Sequence, residues 1–321
     1  MKALYNIFRA LLVVAIFMVV ALPATLYVGL SMPGVQRAIA RQAEHELTGV
    51  LGAEVKIGSL GIEPFNRVVL RDVDVITAPG DTAAHIGRLG AGINLWDLIV
   101  GRRVVVSYVA LTGLDARLWK ASPEAQLNIA PIIEALKPKD QTKPPTRFDF
   151  KVSTVIIRSS AVRFDILSEP ATENRFNPAH IAVTNLRADM RLPRIANDDF
   201  TIDVKRLALS ASPAIELTGL TGWFHIATDG IATKNVSIAT ANSSITLTDT
   251  SLPLDGLGNI AQALKTNGIS IGIEPGSNIY LPDGAPFVPA LEHLPLHLTV
   301  NRLTASGTPA KADADLDIDI G

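Results

Sequence analysis

A chain of 321 residues with 48% hydrophobic and only 19% charged content carries too much apolar surface for a disordered polymer. Its net charge of -2 comes with no clustered basic face, which leaves nucleic-acid binding without an electrostatic footprint. The absence of cysteine excludes disulfides, thiolate chemistry and cysteine metal sites together, so packing and strand pairing must carry stability.

The chain opens on a short basic end, residues 1–9, with Lys2 and Arg9. Ala10 to Leu30 follows without a charge. Those residues, at 1.5 Å each, make a helix about 31 Å long, enough for one membrane crossing. The positive-inside tendency puts residues 1–9 in the cytoplasm and the chain from Arg37 onward on the other side. A signal peptide cut after Ala24 is the alternative, but the apolar run continues past that point through Thr25 to Leu30.

Residues 33–51 bring Val35, Ile39, Ala43, Leu47 and Leu51 to one side of a helix, with Arg37, Arg41, Glu44 and His45 elsewhere. This amphipathic helix is expected to cap the structure that follows rather than lie on a membrane, because it is poor in basic and bulky apolar residues.

From Glu54 the period becomes two and turn residues punctuate the chain, which predicts a mainly β remainder. Residues 52–137 form a first β module, in which Val55 pairs in phase with Ile57 and Val73 with Val75. Short helical interruptions are predicted at Leu95–Val100, Ile129–Lys137 and Gly258–Lys265. The polar, proline-containing stretch 138–147 is read as a linker, since prolines suit neither a central strand nor a helix interior.

Residues 148–321 then repeat the alternation. Phe148, Phe150 and Val152 share a face; so do Leu186, Met190 and Leu192, opposite Arg187, Asp189 and Arg191. Phe200, Ile202 and Val204 alternate with Thr201, Asp203 and Lys205. Ile215 with Leu217, Val236 with Ile238, and Ile245 with Leu247 continue the series. These residues are the candidate lining of an apolar surface. An ordinary sandwich or barrel, whose apolar faces meet in a closed core, would use the same pattern. With 5% aromatic residues and no helix large enough to cover a long sheet, an open apolar trough is the preferred expectation.

Catalytic and metal signatures are thin. His45, His85, His180, His225, His293 and His297 are scattered, and neither HExxH nor GxSxG occurs. Pro295 separates His293 from His297 and spoils a helical metal pair. Gly87, Gly90 and Gly92 do not form a GxGxxG loop, and Asp313, Asp315, Asp317 and Asp319 lie on one strand face rather than in a calcium loop. No enzyme activity, cofactor or metal is expected.

Leu47 to Val75, LTGVLGAEVKIGSLGIEPFNRVVLRDVDV, resembles the opening of the AsmA-like and TamB-like proteins. Ile86 to Trp119, IGRLGAGINLWDLIVGRRVVVSYVALTGLDARLW, is similar to that family's strand, short helix, strand, strand module. Leu127-Asn128-Ile129 with Ile132, Ile133 and Leu136 resembles its next helical element. Ile215 to Leu247 resembles the strand repeat of the longer members, and Ile279 to Leu291 a later break in it. The resemblance implies an inner-membrane anchor and a long curled antiparallel sheet, U-shaped in section. Roughly fourteen strands in this chain, at about 4.8 Å each, would make a ladder only about 70 Å long. Its apolar lining would hold phospholipid acyl chains in transit between the two membranes of a bacterial envelope, with the bulk of the chain in the periplasm. Longer TamB-like proteins end in a region that engages an outer-membrane barrel protein; no counterpart is recognised here, so a chain truncated at its C-terminus is the expectation. A chaperone-like scaffold for outer-membrane or secreted proteins is the alternative role, and an anchored structural β-domain the third.

Overall fold

The computed structural model describes residues 32–63, 67–78, 80–93, 104–136, 148–172, 175–196, 199–254, 266, 269–308 and 311–321. Among them no helix is long and apolar enough to cross a membrane. The anchor expected at residues 10–30 lies outside the described residues, as do the short helices expected at 95–100 and 258–265 and the linker 138–147.

Helix α1 runs Pro33–Leu51, with proline in its first turn and Gly52 behind it at φ 64°, where the Gly52 N–H closes on the Thr48 carbonyl. Strands follow in chain order: β1 Glu54–Glu63, β2 Arg67–Ala78, β3 Asp81–Ile93 and β4 Val104–Lys120, then helix α2, Ala130–Leu136. Beyond it come β5 Phe148–Ile166, β6 His180–Ala196, β7 Asp199–Ala211, β8 Ile215–Ala227 and β9 Gly230–Ala239. Short strands β10 Ser244–Thr246, β11 Thr250–Pro253, β12 Ile269–Ile273 and β13 Ser277–Tyr280 precede the longer β14 His297–Thr308 and β15 Lys311–Ile320.

The protein is mainly β, and all of these strands belong to one 15-stranded sheet. Neighbours follow chain order from β1 to β10, then β13, β14 and β12, with β11 beside β9 and β15 beside β14. One pairing departs from the antiparallel expectation: β4 and β5 are parallel. A parallel pair needs a long crossover, and the segment carrying α2 supplies it. The path is open, so among the described residues there is neither a second sheet to pack face to face nor a closed barrel.

The best-buried core lies at the β1 end. Ile39, Ala40, Ala43, Leu47 and Leu51 of α1 pack on Val55, Ile57, Leu60, Leu70 and Val73. The same helix protects the outer edge of β1, where the Val55 N–H donates to Thr48 Oγ1 at 3.0 Å and the Ile57 N–H to Glu44 Oε1 at 2.7 Å. Helical side chains thus take the place of the strand that an exposed edge would otherwise recruit.

Candidate functional site

Residues directly opposite one another on paired strands share a face of the sheet, which allows the register to be followed across it. Leu60 faces Leu70, Leu70 faces Leu89, and Leu89 faces Leu111. Leu111 faces Ile157, Ile157 faces Ala188, and Ala188 faces Leu207. Leu207 faces Leu220, Leu220 faces Ile238, and Ile238 faces Ile245. An apolar row therefore crosses β1 to β10 without a polar residue, over about 43 Å for nine strand spacings.

Two further rows flank it. Val55, Val75, Ala84 and Ala116 continue through Val162, Val183, Ala211 and Ile215. On the other side run Val68, Ala91, Val109, Val155, Met190, Val204 and Gly222.

Strict alternation cannot put these rows on one face, because Leu70 and Val75, like Leu111 and Ala116, are an odd number of residues apart. Left-handed positions within the strands restore the phase. Asp72, Ser159, Asn185 and Asn235 hold φ values of 53°, 49°, 54° and 50°, and Gly113 holds 67°, all inside strands. At Ser159, Asn185 and Asn235 the register slips by one residue, whereas at Asp72 and Gly113 the neighbouring strands skip a pairing in step. Leu70 and Val73 thereby both enter the core under α1. Gly58 belongs to the same seam: a Cβ there would lie 2.9 Å from Asp72 Cβ. Ser160, 1% exposed, plugs another bulge by accepting the Leu114 N–H and donating to the Arg158 carbonyl.

Coverage changes along the row. Under α1, Leu60 and Leu70 are only 4% and 7% exposed. Beyond the helix Ile157, Leu207, Leu220, Ile238 and Ile245 are half-buried. Small side chains such as Ala188 and Val204 form the floor between them and are buried. The face continues into the last strands, where Ile279, Leu298 and Ile320 are in register, as are Ile273, Leu303 and Leu316.

The register brings most of the sequence-predicted lining together. Met190 faces Val204; Ile202 and Phe200 face Phe224 and Ile226; Ile215 faces Ala211; Leu217 faces Leu209. Ile238 faces Ile245, and Val236 lies against Gly222. Leu186 is opposite the buried Ser160. Leu192 and Val152 fall within register shifts, and Leu247 forms an isolated bridge with Ile273. Phe148 and Phe150 stand opposite Val104 and Val106 in β5.

Sequence reading missed the longest row almost entirely, including Leu111, Ile157, Leu207 and Leu220. A signal for part of it was present: Leu70 to Val73, Leu111 to Leu114 and Leu220 to Trp223 each join two apolar residues across a pair that contains Asp or Gly.

The opposite face carries Val69, Ala110 and Ile156 in one register line, and elsewhere is laced with local polar pairs. His85 Nδ1 lies 2.7 Å from Asp74, and Arg158 donates to Asp189 at 2.6 Å. Both nitrogens of His180 face acceptors, Asp165 at 2.8 Å and the Glu169 carbonyl at 2.9 Å. Those bonds hold the His180 pKa above its usual value of 6.5. A cavity of about 650 Å³ beside Trp223 contains Asp203 and Lys205, already paired at 2.6 Å, together with Lys234 above the indole ring. No group of three metal-ligating side chains occurs among the described residues.

Fold and face together define a single-sheet β protein with one continuous apolar surface. The chain matches no protein-family model, and no curated protein is significantly similar to it.

Proposed function

We propose that this protein is a membrane-anchored carrier surface for lipid acyl chains, of the AsmA-like and TamB-like kind, supporting phospholipid movement between the inner and outer bacterial membranes. The observation that carries this reading is the unbroken apolar row from Leu60 to Ile245. A lipid leaving a bilayer exposes methylenes at about 0.8 kcal/mol each, so a sixteen-carbon chain faces roughly 13 kcal/mol in water. A surface spanning many strands removes that barrier at every step, whereas an isolated pocket removes it only once. Repeated bulges add twist and bend, which supports curling of the sheet into a trough around the row. The uncharged run Ala10–Leu30 would hold α1 and the β1 end beside the inner membrane, with the sheet in the periplasm.

Photocrosslinkers at Leu207 and Ile202 test the reading in cells. Phospholipid adducts at both, with none at Asp203 on the polar face, are expected. Labelling confined to Asp203 would sink the proposal.

The scaffold reading draws on a different feature. Among the described residues β15 pairs only with β14, leaving its other side able to accept an added strand. Crosslinking of nascent outer-membrane protein along Asp313 to Asp319, with no lipid at Leu207, would favour it.

A further inference from the structure

The connection between β13 and β14, residues 281–296, is far longer than the roughly two to five residues of ordinary hairpin loops. It closes at its root through the Leu281 N–H to the Leu296 carbonyl, and contains two 3-10 turns, Leu281–Gly284 and Pro289–His293. Asp283 fastens it to the β9–β10 turn by accepting from Thr240, Ser243 and Asn242. Further on, the Phe176 N–H of the β5–β6 loop donates to the Pro286 carbonyl, and the Phe176 and Phe287 rings stand 5.2 Å apart. The loop is therefore held in place at three points, yet Phe287 and Val288 are 53% and 51% exposed, and Leu294 and Leu296 44% and 37%.

We propose that this loop is a lipid-docking element that inserts its apolar tip into a bilayer surface. Its backbone supplies the first reason. Inserting a loop into hydrocarbon is normally prohibited by unsatisfied N–H groups. Here Pro282, Pro286, Pro289 and Pro295 have none. The N–H groups of Leu281, Ala285, Phe287, Val288, Leu291, Leu294 and Leu296 are all bonded within the loop. The second reason is charge. The loop has no lysine or arginine, Asp283 is occupied by its three donors, and Glu292 and His293 follow each other at the end of the second turn. Insertion is thus driven by apolar burial and needs no anionic headgroup. A partner protein would be expected to find complementary charges, and beyond the occupied Asp283 the loop offers only Glu292 and His293.

The cysteine-free sequence makes the test direct. The full-length Val288→Cys protein, labelled with an environment-sensitive fluorophore, is reconstituted into phosphatidylcholine vesicles; Asp229→Cys, on a turn at the other end of the strands, is the control. Nitroxide phosphatidylcholine is placed either in the host vesicles or in a second, added population. Insertion predicts a blue-shifted emission at position 288 and about a twofold or greater loss of intensity with nitroxide in one of the two populations, little changed by salt. The control should show neither change. A label at Leu294→Cys should lose its quenching when Phe287→Asp and Val288→Asp are added. Absence of quenching from both populations overturns the proposal, as does a blue shift that depends on protein concentration without lipid, which identifies a second copy as the occupant. Strong suppression by salt also overturns it. Lipid capture at Leu207 is read separately, so failure here is distinguishable from failure of the carrier reading.

Discussion

Gly58 shows how one atom governs the sheet's phase. An added Cβ would meet Asp72 Cβ at 2.9 Å and the Arg71 carbonyl at 3.2 Å, at the step where Ile57 and Leu60, three residues apart, both enter the core. Gly58→Ala should lower stability by about 1–3 kcal/mol in denaturant unfolding. Gly61→Ala, whose nearest new neighbour is the Arg71 guanidinium at 3.6 Å, should stay within about 0.5 kcal/mol. Two titrations belong to the same scale and have opposite signs. Burial raises the Asp283 pKa, but hydrogen bonds from Ser243, Thr240 and Asn242 outweigh it and hold the carboxyl below its usual range. The attachment it makes is therefore present above the ordinary carboxylate pKa and lost as pH falls through the lowered one. Amide exchange in residues 281–296, corrected for intrinsic rates, should accelerate in acid, and Asp283→Asn should abolish that acid dependence. For His180 the raised pKa means that the Asp165 and Glu169 contacts stabilise below the ordinary histidine value and are lost as pH rises through the raised one. An NMR titration should find its midpoint above 6.5, and the same titration of Asp165→Asn should find a lower one.

At the scale of elements, α1 has two tasks that its sequence reveals unequally. Its apolar stripe is legible from a spacing of four, and it packs on β1 and β2 from Ile39 to Leu51, while Val35 remains 37% exposed. Its protection of the β1 edge was not legible, because nothing in Glu44 or Thr48 announces that each accepts a strand N–H. The double variant Glu44→Ala, Thr48→Val should leave those donors open, so that exchange at the Val55 and Ile57 amides rises about tenfold or more, as for a lost hydrogen bond of about 1.4 kcal/mol. Analytical ultracentrifugation should show concentration-dependent association of the same variant. The strands themselves were foreseen from alternation, yet the period of two holds only within each half of a bulged strand. Phe200, Ile202 and Val204 keep strict alternation because they lie in an uninterrupted run against β8, whereas Leu186 stands beside Asn185 at a register shift. Leu111 and Leu114 straddle Gly113, where a local count assigns them to opposite faces.

Over the whole molecule, the proposed carrier role hangs on continuity. A charge at one point of the apolar row should obstruct movement without disturbing the polar face. Leu207→Asp and Leu220→Asp, both at half-buried positions, should each slow lipid transfer between donor and acceptor vesicles about tenfold or more, the effect of raising a barrier by roughly 1.4 kcal/mol. Asp203→Asn on the opposite face should leave the rate unchanged. Equal rates in all three proteins would remove the row from the mechanism. The sequence by itself determined the mainly β class, the amphipathic helix, the lack of cysteine chemistry and the abundance of apolar strand faces, because these follow from composition and local periodicity. Only the tertiary structure decided that every described strand joins one open sheet, that β4 and β5 run parallel, and that ten strands align their apolar residues in a single row. Those properties depend on register between segments distant in sequence. Register is fixed jointly by bulges, edge protection and cross-strand packing, none of which a single strand carries alone.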